Sequence, residues 1–482
     1  MTHATPRFLL TRAIGLVLLI CIYSEFAAER RTAPLAQQRD LPDLAAVEGG
    51  TADATDSLQK WIDSARTRGG DLTFPSGTYR LTRPLTVVLD EVGPVSISSA
   101  GVVRLLMDGR GPAIHLVGTH GGTAAPDTVQ PNVWNNQRMP LVDGIEIVGR
   151  HPEACGIELT GTMQPTITRL TVRNALHGIH ITRRNRNVQI SDCHIYDNRG
   201  AGIFLDRVNL HQINVVGCHV SYNDGGGIVV RGSEVRNLQI GTCDIEGNMG
   251  GPDSEPTANV WLDSTGASIA EVAIVGCTIQ HAHDAPGSAN IYFEGESTPR
   301  PFTEETRHGY VTIADNVLSD VQVNIEVRNA VGVTITGNTV WKGYEHNLVI
   351  NNCEGIVVSD NAFNRNPRYH YGDGANSKLG LLIQNTTDGV LSNNFVKGTR
   401  DERAALIMQN CRWFAVSNCL LFENDHSGLL VEDCDSVRVT GCMVRDERPD
   451  ADSVGIRVVD GEDVVVEDNT IANGVVRDND TR

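Results

Sequence analysis

Short segments in which apolar and polar residues alternate follow one another along most of the chain. One unit recurs: a strand rich in β-branched residues, a two-residue corner ending in Cys or Asn, another short strand, a variable loop, and then Gly/Asn-apolar-x-apolar. Two copies read VQISDCHIYDNRGAGIFLD and VTITGNTVWKGYEHNLVINN. A period of two is typical of strands buried on one face, and these units lack helical spacing. The pattern therefore predicts a chain of short strands that repeat as one unit.

The corner residue indicates how these units are stacked. A strand repeat of roughly 22 to 25 residues predicts one coil of three short strands per repeat, stacked parallel on the next coil. Stacking at about 4.8 Å per coil aligns like residues in ladders. We therefore predict an all-β parallel solenoid of about 12 to 13 coils. The corner residues are Cys193, Cys218, Cys243, Cys277, Asn316, Asn338, Asn361, Asn394, Cys419, Cys442 and Asn469.

The cysteines have a structural explanation. A second ladder, at the next corner of the coil, consists of Cys353, Cys411 and Cys434. Side chains that face inward on consecutive coils point the same way, which is a poor geometry for a disulfide bond. No Cys-x-x-Cys pair or Cys/His cluster has the spacing of metal ligands. We therefore expect buried free thiols, no metal site and no cofactor, with calcium at acidic coil corners left open.

Residues 49–105 precede the regular repeats and carry a different pattern. Apolar residues recur at helical spacing at Leu58, Trp61, Ile62 and Ala65, and Gly69-Gly70 follows them. This spacing predicts a helix that covers the open apolar end of the solenoid. The helix, the Gly-Gly stop, the phrase FPSGTYRL and the corner ladder resemble the pectate-lyase-like superfamily of right-handed parallel β-helices.

This resemblance implies a domain plan: a cap with the first coils in 49–105, the β-helix in 106–474 and a tail in 475–482. It also implies action on long polysaccharides. The acidic-pair, GHG and RIK motifs of polygalacturonases and the DPHE motif of mannuronan epimerases are absent. Residues 260–264 resemble the vWiDH stretch of pectate lyases, but Ser264 replaces the final His. The resemblance therefore leaves the activity open.

The first 28 residues resemble a signal peptide. Arg7 and Arg12 stand at the start of an apolar stretch, residues 13–24, and a polar run begins at Glu29. A short uncleaved anchor is the alternative, and residues 29–48 are predicted to be a linker. We expect an exported protein, secreted or held in the periplasm or at the cell surface, with membrane contact only through this N-terminal segment.

Net charge narrows the range of partners. The chain has 59 acidic and 40 basic side chains, so its formal net charge is −19. Such a charge repels a phosphate backbone, and nucleic acid is therefore an unsuitable partner. We expect a polysaccharide instead.

The strand after the variable loop is where the resemblance places substrate. If its two apolar residues face inward, the residue after each of them faces outward, which gives two parallel rows. Row 1 runs Glu158, His180, Phe204, Val229, Trp261, Tyr292, Glu326, Val349, Leu382, Ile407 and Leu430. Row 2 runs Thr160, Thr182, Asp206, Arg231, Asp263, Glu294, Arg328, Asn351, Gln384, Gln409 and Glu432.

The middle of the two rows suits a sugar-binding groove, because aromatic faces stack on pyranose rings and charged groups bind hydroxyls or uronate carboxylates. We predict that Asp206, Arg231, Asp263, Glu294 and Arg328 are catalytic. Predicted substrate-binding residues are His180, Phe204, Trp261, Tyr292 and Glu326, together with Tyr369 and Tyr371 from the inserted loop 364–379. An outward row of alternating charges is also typical of a solvated surface.

The charged residues of the two rows could catalyse either hydrolysis or elimination of a polysaccharide. Asp263 and Glu294 would lie on adjacent coils about 5 Å apart, close to the separation of the two carboxylates in retaining glycosidases. In an eliminase, Arg231 or Arg328 would abstract the proton. We predict an exported polysaccharide hydrolase or lyase. The alternative is a non-catalytic glycan-binding or cell-surface β-helix, with Leu382, Ile407 and Leu430 as an exposed apolar stripe for a partner.

Overall fold

The computed structural model describes residues 49–369, 373–449, 451–472 and 474–478. Strands make up most of this part of the chain, and each pairs in parallel with the equivalent strand of the next coil. We name the three sheets by their order within a coil: sheet 1 follows the variable loop, sheet 2 comes next, and sheet 3 follows the Cys/Asn corner. The predicted all-β parallel β-helix, with three strands per coil, is confirmed.

Sheet 1 carries the two outward rows. Its strands are Leu85–Val88, Gly111–Val117, Ala154–Thr160, Ile179–Ser191, Ile203–Val216, Ile228–Arg231, Ala258–Asp263, Ala289–Glu294, Val321–Arg328, Gly343–Asn351, Gly380–Gln384, Leu406–Gln409, Ser427–Glu432, Val454–Val459 and Val475–Asp478.

Sheet 2 shares the strands Ile179–Ser191 and Ile203–Val216 with sheet 1, because both run through the corner without a break, so the two sheets form one 28-stranded sheet. Its other strands are Asp71–Phe74, Ser96–Ser99, Leu141–Asp143, Thr166–Thr168, Glu234–Gly241, Ser268–Val275, His308–Ala314, Ala330–Thr336, Glu354–Ser359, Thr387–Ser392, Arg412–Ser417, Asp435–Thr440 and Val465–Glu467.

Sheet 3 has 16 strands within the part of the chain that the structure describes: Gly49–Asp53, Gly77–Leu81, Val103–Met107, Ile145–Gly149, Thr171–Arg173, His194–Tyr196, His219–Ser221, Asp244–Glu246, Thr278–Gln280, Val317–Ser319, Thr339–Val340, Ala362–Asn364, Phe395–Lys397, Leu420–Phe422, Met443–Arg445 and Thr470–Ile471. The stack is therefore taller than the expected 12 to 13 coils. The difference arises because residues 49–105 already contribute strands to all three sheets.

The predicted N-terminal helix is present as Thr55–Asp63, followed by a 3-10 turn at Ala65–Arg68. It buries Leu58, Trp61 and Ile62, and the Trp61 ring meets Phe74 edge-on at 4.9 Å. Gly70, at a φ of 82°, then turns the chain close to Pro94, where a Cβ would lie 2.2 Å from the carbonyl oxygen. The other α-helices in the described residues are Leu89–Val92 and Pro131–Asn136, and 3-10 turns occur there at Pro126–Thr128, Pro367–Tyr369 and Gly374–Asn376.

The corner ladder follows from backbone geometry. In every copy, the residue before the Cys or Asn has a positive φ. It is 53° both at Asp192 in the first copy and at Asp468 in the last, and these positions are mostly Gly, Asn or Asp. Those residues adopt the left-handed conformation at the lowest cost. The following Asn side chains bond to one another, with 3.0 Å from Asn316 Nδ2 to Asn338 Oδ1. All ten cysteines in the described residues are buried free thiols, as predicted.

A further ladder was not predicted from the sequence. At the corner between sheets 3 and 1, buried asparagines donate from Nδ2 to the Oδ1 of the next asparagine along the stack over distances of 2.7 to 2.8 Å. Its members are Asn198, Asn223, Asn248, Asn259, Asn290, Asn324 and Asn347. This ladder fixes the corner from which the variable loops leave, directly before the strands that carry rows 1 and 2.

Candidate functional site

The pairing register of sheet 1 confirms both rows as continuous lines of Cα partners. In row 2, Asp206 is paired with Arg231, Arg231 with Asp263, Asp263 with Glu294, and Glu294 with Arg328. In row 1, His180 is paired with Phe204, Trp261 with Tyr292, and Tyr292 with Glu326. The structure therefore brings together the predicted residues of both rows on one sheet.

Aromatic residues in the middle of row 1 stack on one another along the axis of the β-helix. The rings of Trp261 and Tyr292 lie 4.2 Å apart at 24°. On the preceding coil, the guanidinium of Arg231 lies 5.1 Å from the centre of the Trp261 ring. Both faces of Trp261 are thus covered, and the column presents ring edges outward. A sugar can stack on Trp261 only if Arg231 moves aside.

The carboxylates of row 2 contribute to the corner between sheets 1 and 2. Asp263 Oδ1 accepts a hydrogen bond from the backbone N–H of Thr265 at 2.9 Å. Glu294 Oε1 accepts from the backbone N–H of Glu296 at 2.9 Å and from Asn329 Nδ2 at 2.8 Å. Each carboxylate therefore has one oxygen engaged in shaping its turn.

Arg328 is held as a cation. Its Nε donates to Glu326 Oε1 at 2.5 Å, and although burial lowers the pKa of Arg328, the charge of Glu326 raises it overall. Such a guanidinium is suited to binding an anion and poorly suited to abstracting a proton. Burial, together with the charges of Glu294 and Glu326, raises the pKa of Tyr292 to about 12. Its hydroxyl is therefore a hydrogen-bond donor at neutral pH.

His180 lies between two carboxylates at the N-terminal part of the rows. Its Nε2 is 3.2 Å from Asp206 Oδ2, and its Nδ1 is 3.7 Å from Glu158 Oε2. Burial opposes charge on the imidazole, but the nearby carboxylate of Glu158 and the hydrogen bond to Asp206 raise the pKa of His180 above its ordinary value. The proximity of His180 lowers the pKa of Glu158, against the opposite effect of burial. His180 is thus stabilised as an imidazolium and can donate a proton.

Two further histidines near this cluster are held neutral. Burial lowers the pKa of His115, whose Nε2 lies 3.0 Å from Thr160 Oγ1 and 3.5 Å from Glu158 Oε1. Burial also lowers the pKa of His177 to about 4, and its ring lies 5.0 Å from Phe204. Groups of one type whose pKa values are pushed in opposite directions are typical of acid-base sites.

Sequence reasoning missed His115 and His177. A signal for His115 was present, because GPAIHLVG has the same apolar-x-apolar pattern as the later strands, and His115 is the Cα partner of Glu158. Extending row 1 by one coil would have included it. No comparable signal marked His177, which lies at the corner before its strand.

The expected apolar stripe on sheet 1 is wrong. Ile407 and Leu430 are only 5% and 4% exposed, because Ala404 from the preceding loop covers them and Leu382 packs alongside. The loop could not be placed on this stripe from sequence spacing alone. Only Leu382 keeps a partly exposed side chain, so the three residues do not form an exposed apolar stripe for a partner.

The inserted loops are attached to one another rather than to rows 1 and 2. His283 Nε2 and the Tyr344 hydroxyl both lie 2.8 Å from the carboxylate of Asp373, and the His283 ring stacks on Tyr344 at 3.8 Å. Tyr369 contacts the Trp341 ring with centres 5.6 Å apart and does not lie on sheet 1. Tyr371 lies outside the described residues.

The described residues lack a metal-ligand cluster and a membrane-spanning helix. They contain no group of three or more His, Cys, Asp or Glu side chains placed to hold a metal ion. They also contain no helix with the length and apolar character needed to cross a bilayer.

Comparison with known proteins identifies the family. The model of the right-handed β-helix region matches residues 133–279 and 324–477, more than half of the chain. The chain belongs to this family, which also gives the hand of the solenoid. No curated protein matches its sequence.

Solved structures with a similar fold are distant in sequence. The tailspike protein of E. coli bacteriophage HK620, in complex with a pentasaccharide, is 14% identical over 87% of this chain and 78% of its own, with a TM-score of 0.53. A mannuronan C-5 epimerase A-module from Azotobacter vinelandii is 14% identical over 90% of this chain and 99% of its own, with a TM-score of 0.47. At this identity, the likeness concerns the fold.

Proposed function

We propose that this protein acts on a polysaccharide lying across rows 1 and 2 of sheet 1, and that it is a hydrolase. The observation that carries the proposal is the acid-base cluster: His180 lies between the carboxylates of Glu158 and Asp206, which raise its pKa, and burial lowers the pKa of His115 on the other side of Glu158. The tailspike protein that shares this fold was solved with a bound pentasaccharide, which supports a glycan as the partner.

Hydrolysis fits the spacing of the two imidazoles. His115 and His180 are each Cα partners of Glu158, so they stand two coil steps apart, about 10 Å. The Glu158 carboxylate stands between them, 3.5 Å from His115 Nε2 and 3.7 Å from His180 Nδ1, so the imidazole nitrogens are closer together than the Cα atoms. A substrate would lie over this carboxylate, with acid and base near the separation of about 6.5 to 9.5 Å that leaves room for a water molecule in inverting hydrolysis. His180 would protonate the glycosidic oxygen and His115 would take a proton from the water. Elimination acts on neighbouring carbons and needs its acid and base closer together.

The test uses the purified protein with a panel of acidic and neutral polysaccharides, following new reducing ends and unsaturated-uronate absorbance together. New reducing ends without absorbance are expected, whereas both signals would indicate a lyase. His180→Asn should lower kcat by about 10² or more, the usual contribution of a general acid. The control is His219→Asn, because His219 lies exposed on sheet 3. Equal activity of both variants would overturn the acid role.

A second candidate is a protein that binds a glycan without cleaving it. It is favoured by the roles of Asp263 and Glu294 in the corner turns and by the covered faces of Trp261. The same panel of polysaccharides, assayed for binding as well as for cleavage, separates the two functions. A glycan retained by the protein, with no cleavage of any substrate, would leave only binding.

We also propose that residues 1–28 direct export. This segment lies outside the described residues, and the proposal depends on its sequence alone. Mass spectrometry of the protein from its native host should find a mature N-terminus near residue 29. An intact N-terminus in the membrane fraction would indicate the short anchor instead.

A further inference from the structure

A cavity of about 250 Å³ lies where the inserted loop 364–379 covers the corner between sheets 3 and 1. Three successive coils contribute to it through the residues that follow their sheet 3 strands. Its described lining is Trp341, Lys342, Arg365, Asn366, Pro367, Tyr369, Gly374, Ala375, Ser377, Leu379 and Arg400. It stands at the edge where sheet 1 strands begin, whereas row 2 lies where they end.

Charge in this cavity is all of one sign. The charged side chains of its described lining are Lys342, Arg365 and Arg400, in a chain whose net charge is −19. Lys342 is paired with Asp320. Arg400 lies 4.0 Å from Asp425, which is bonded more closely to Arg448, at 2.7 Å. The cations at the cavity therefore exceed the carboxylates available to them.

Arg365 is the clearest case. Its guanidinium donates to the carbonyl oxygens of Gly398, at 2.6 Å, and of Ala375 and Ser377. Burial and the neighbouring charge of Arg400 lower the pKa of Arg365 to about 10, so it remains a cation at neutral pH. A half-buried guanidinium held by neutral carbonyls beside a second cation is a favourable neighbour for an anion.

The wall of the cavity is aromatic. The rings of Trp341 and Tyr369 meet at 46° with centres 5.6 Å apart. Trp341 Nε1 is buried and has no hydrogen-bond partner among the described residues. An indole N–H in such a position donates to a ligand or water. An aromatic wall, an indole N–H without a protein partner and an excess of positive charge together favour a ring that carries both hydroxyls and a negative charge.

We propose that this cavity binds one monosaccharide unit that carries an acidic group. Its volume lies below the 300 to 1,000 Å³ typical of sites for drug-sized ligands, which suits a single ring rather than a stretch of polymer. The proposal shares with the proposed function the idea of a glycan ligand, but it concerns a separate site. The charge of the sugar can come from a carboxylate or a phosphate ester.

The test measures binding to the full chain by calorimetry and tryptophan fluorescence, with glucuronate, glucose 6-phosphate, glucose and inorganic phosphate as probes. At least one acidic sugar should bind tenfold or more tightly than glucose and inorganic phosphate. Trp341→Phe, which keeps a ring but removes the N–H, and Arg400→Gln should each weaken that binding at least fivefold. Trp413→Phe is the matched control, since Trp413 is 60% exposed elsewhere on the surface.

Tyr369→Ala separates a loss of binding from a loss of folding. Because Tyr369 is 46% exposed, its replacement should weaken binding while leaving the melting temperature unchanged. The proposal would be overturned if glucose or inorganic phosphate bound as tightly as the acidic sugars, or if these variants bound with unchanged affinity. It would also be overturned if neither acidic sugar bound. An acidic sugar that binds without any polysaccharide being cleaved would leave the cavity assigned and refute only the hydrolase. Cleavage of a polysaccharide without binding of any acidic sugar would leave the hydrolase and refute only the cavity proposal.

Discussion

Replacing Asn259 with alanine tests what the unforeseen asparagine ladder contributes to stability. The Asn259 side chain is fully buried; it accepts from the backbone N–H of Asn248 at 3.1 Å and donates to Asn290 Oδ1 at 2.8 Å. Its other partners keep a second hydrogen bond: Asn248 Nδ2 still donates to Val220, and Gln280 O still accepts from Gly247. Asn259→Ala therefore leaves two buried groups without partners.

Each buried group left unsatisfied costs about 1 to 3 kcal/mol, so the free energy of unfolding should fall by about 2 to 6 kcal/mol. Urea unfolding followed by circular dichroism and fluorescence measures the loss, and coincidence of the two signals tests for a single transition. Asn214→Ala, which removes an exposed asparagine on sheet 2, is the control and should cost no more than about 0.5 kcal/mol. A loss in Asn259→Ala below about 1 kcal/mol would refute the reasoning.

Three further predictions concern charge and reactivity. Because the pKa of His180 is raised in the folded protein, its contribution to stability is lost as pH rises through that pKa; because the pKa of Glu158 is lowered, its contribution is lost as pH falls through that pKa. His180→Gln should therefore flatten the alkaline side of a plot of melting temperature against pH, and an unchanged plot would contradict this. The ten described cysteines should react with a thiol reagent only on unfolding, and rapid labelling of several in the native protein would contradict their burial. Asp373→Asn should speed proteolysis within loop 364–379, because it weakens the contact with His283, and protection equal to that of wild type would disprove the anchor.

Periodicity was sufficient to predict the fold and the register of the rows. A single inward-outward choice per strand sets every row position, because side chains alternate with a period of two and a coil stacks on the next without slipping. Trp261, Tyr292 and Glu326 accordingly lie on adjacent coils as predicted. The Cys/Asn ladder was equally visible, since its corner recurs with a left-handed residue before it.

Interactions between coils were less predictable. The position of a residue in a row predicts which residues flank it but not how its side chain is oriented. The stacking of Trp261 between Arg231 and Tyr292 was therefore not predicted. The sheet 3 to sheet 1 asparagines escaped notice because their spacing changes: Asn248 and Asn259 are separated by 11 residues, and Asn259 and Asn290 by 31. A ladder whose members move from a loop to a strand has no fixed sequence period.

The sequence by itself determined the parallel β-helix, the capping helix, the buried free thiols and the two outward rows, because each depends on local backbone preference and on a short repeat. Only the tertiary structure decided which outward residues act on each other. It placed His180 between Glu158 and Asp206, covered Leu430 with a loop, and assembled a cationic cavity from three coils. The physical reason is that pKa values, burial and charge balance depend on neighbours several coils or an inserted loop away, which no local pattern specifies.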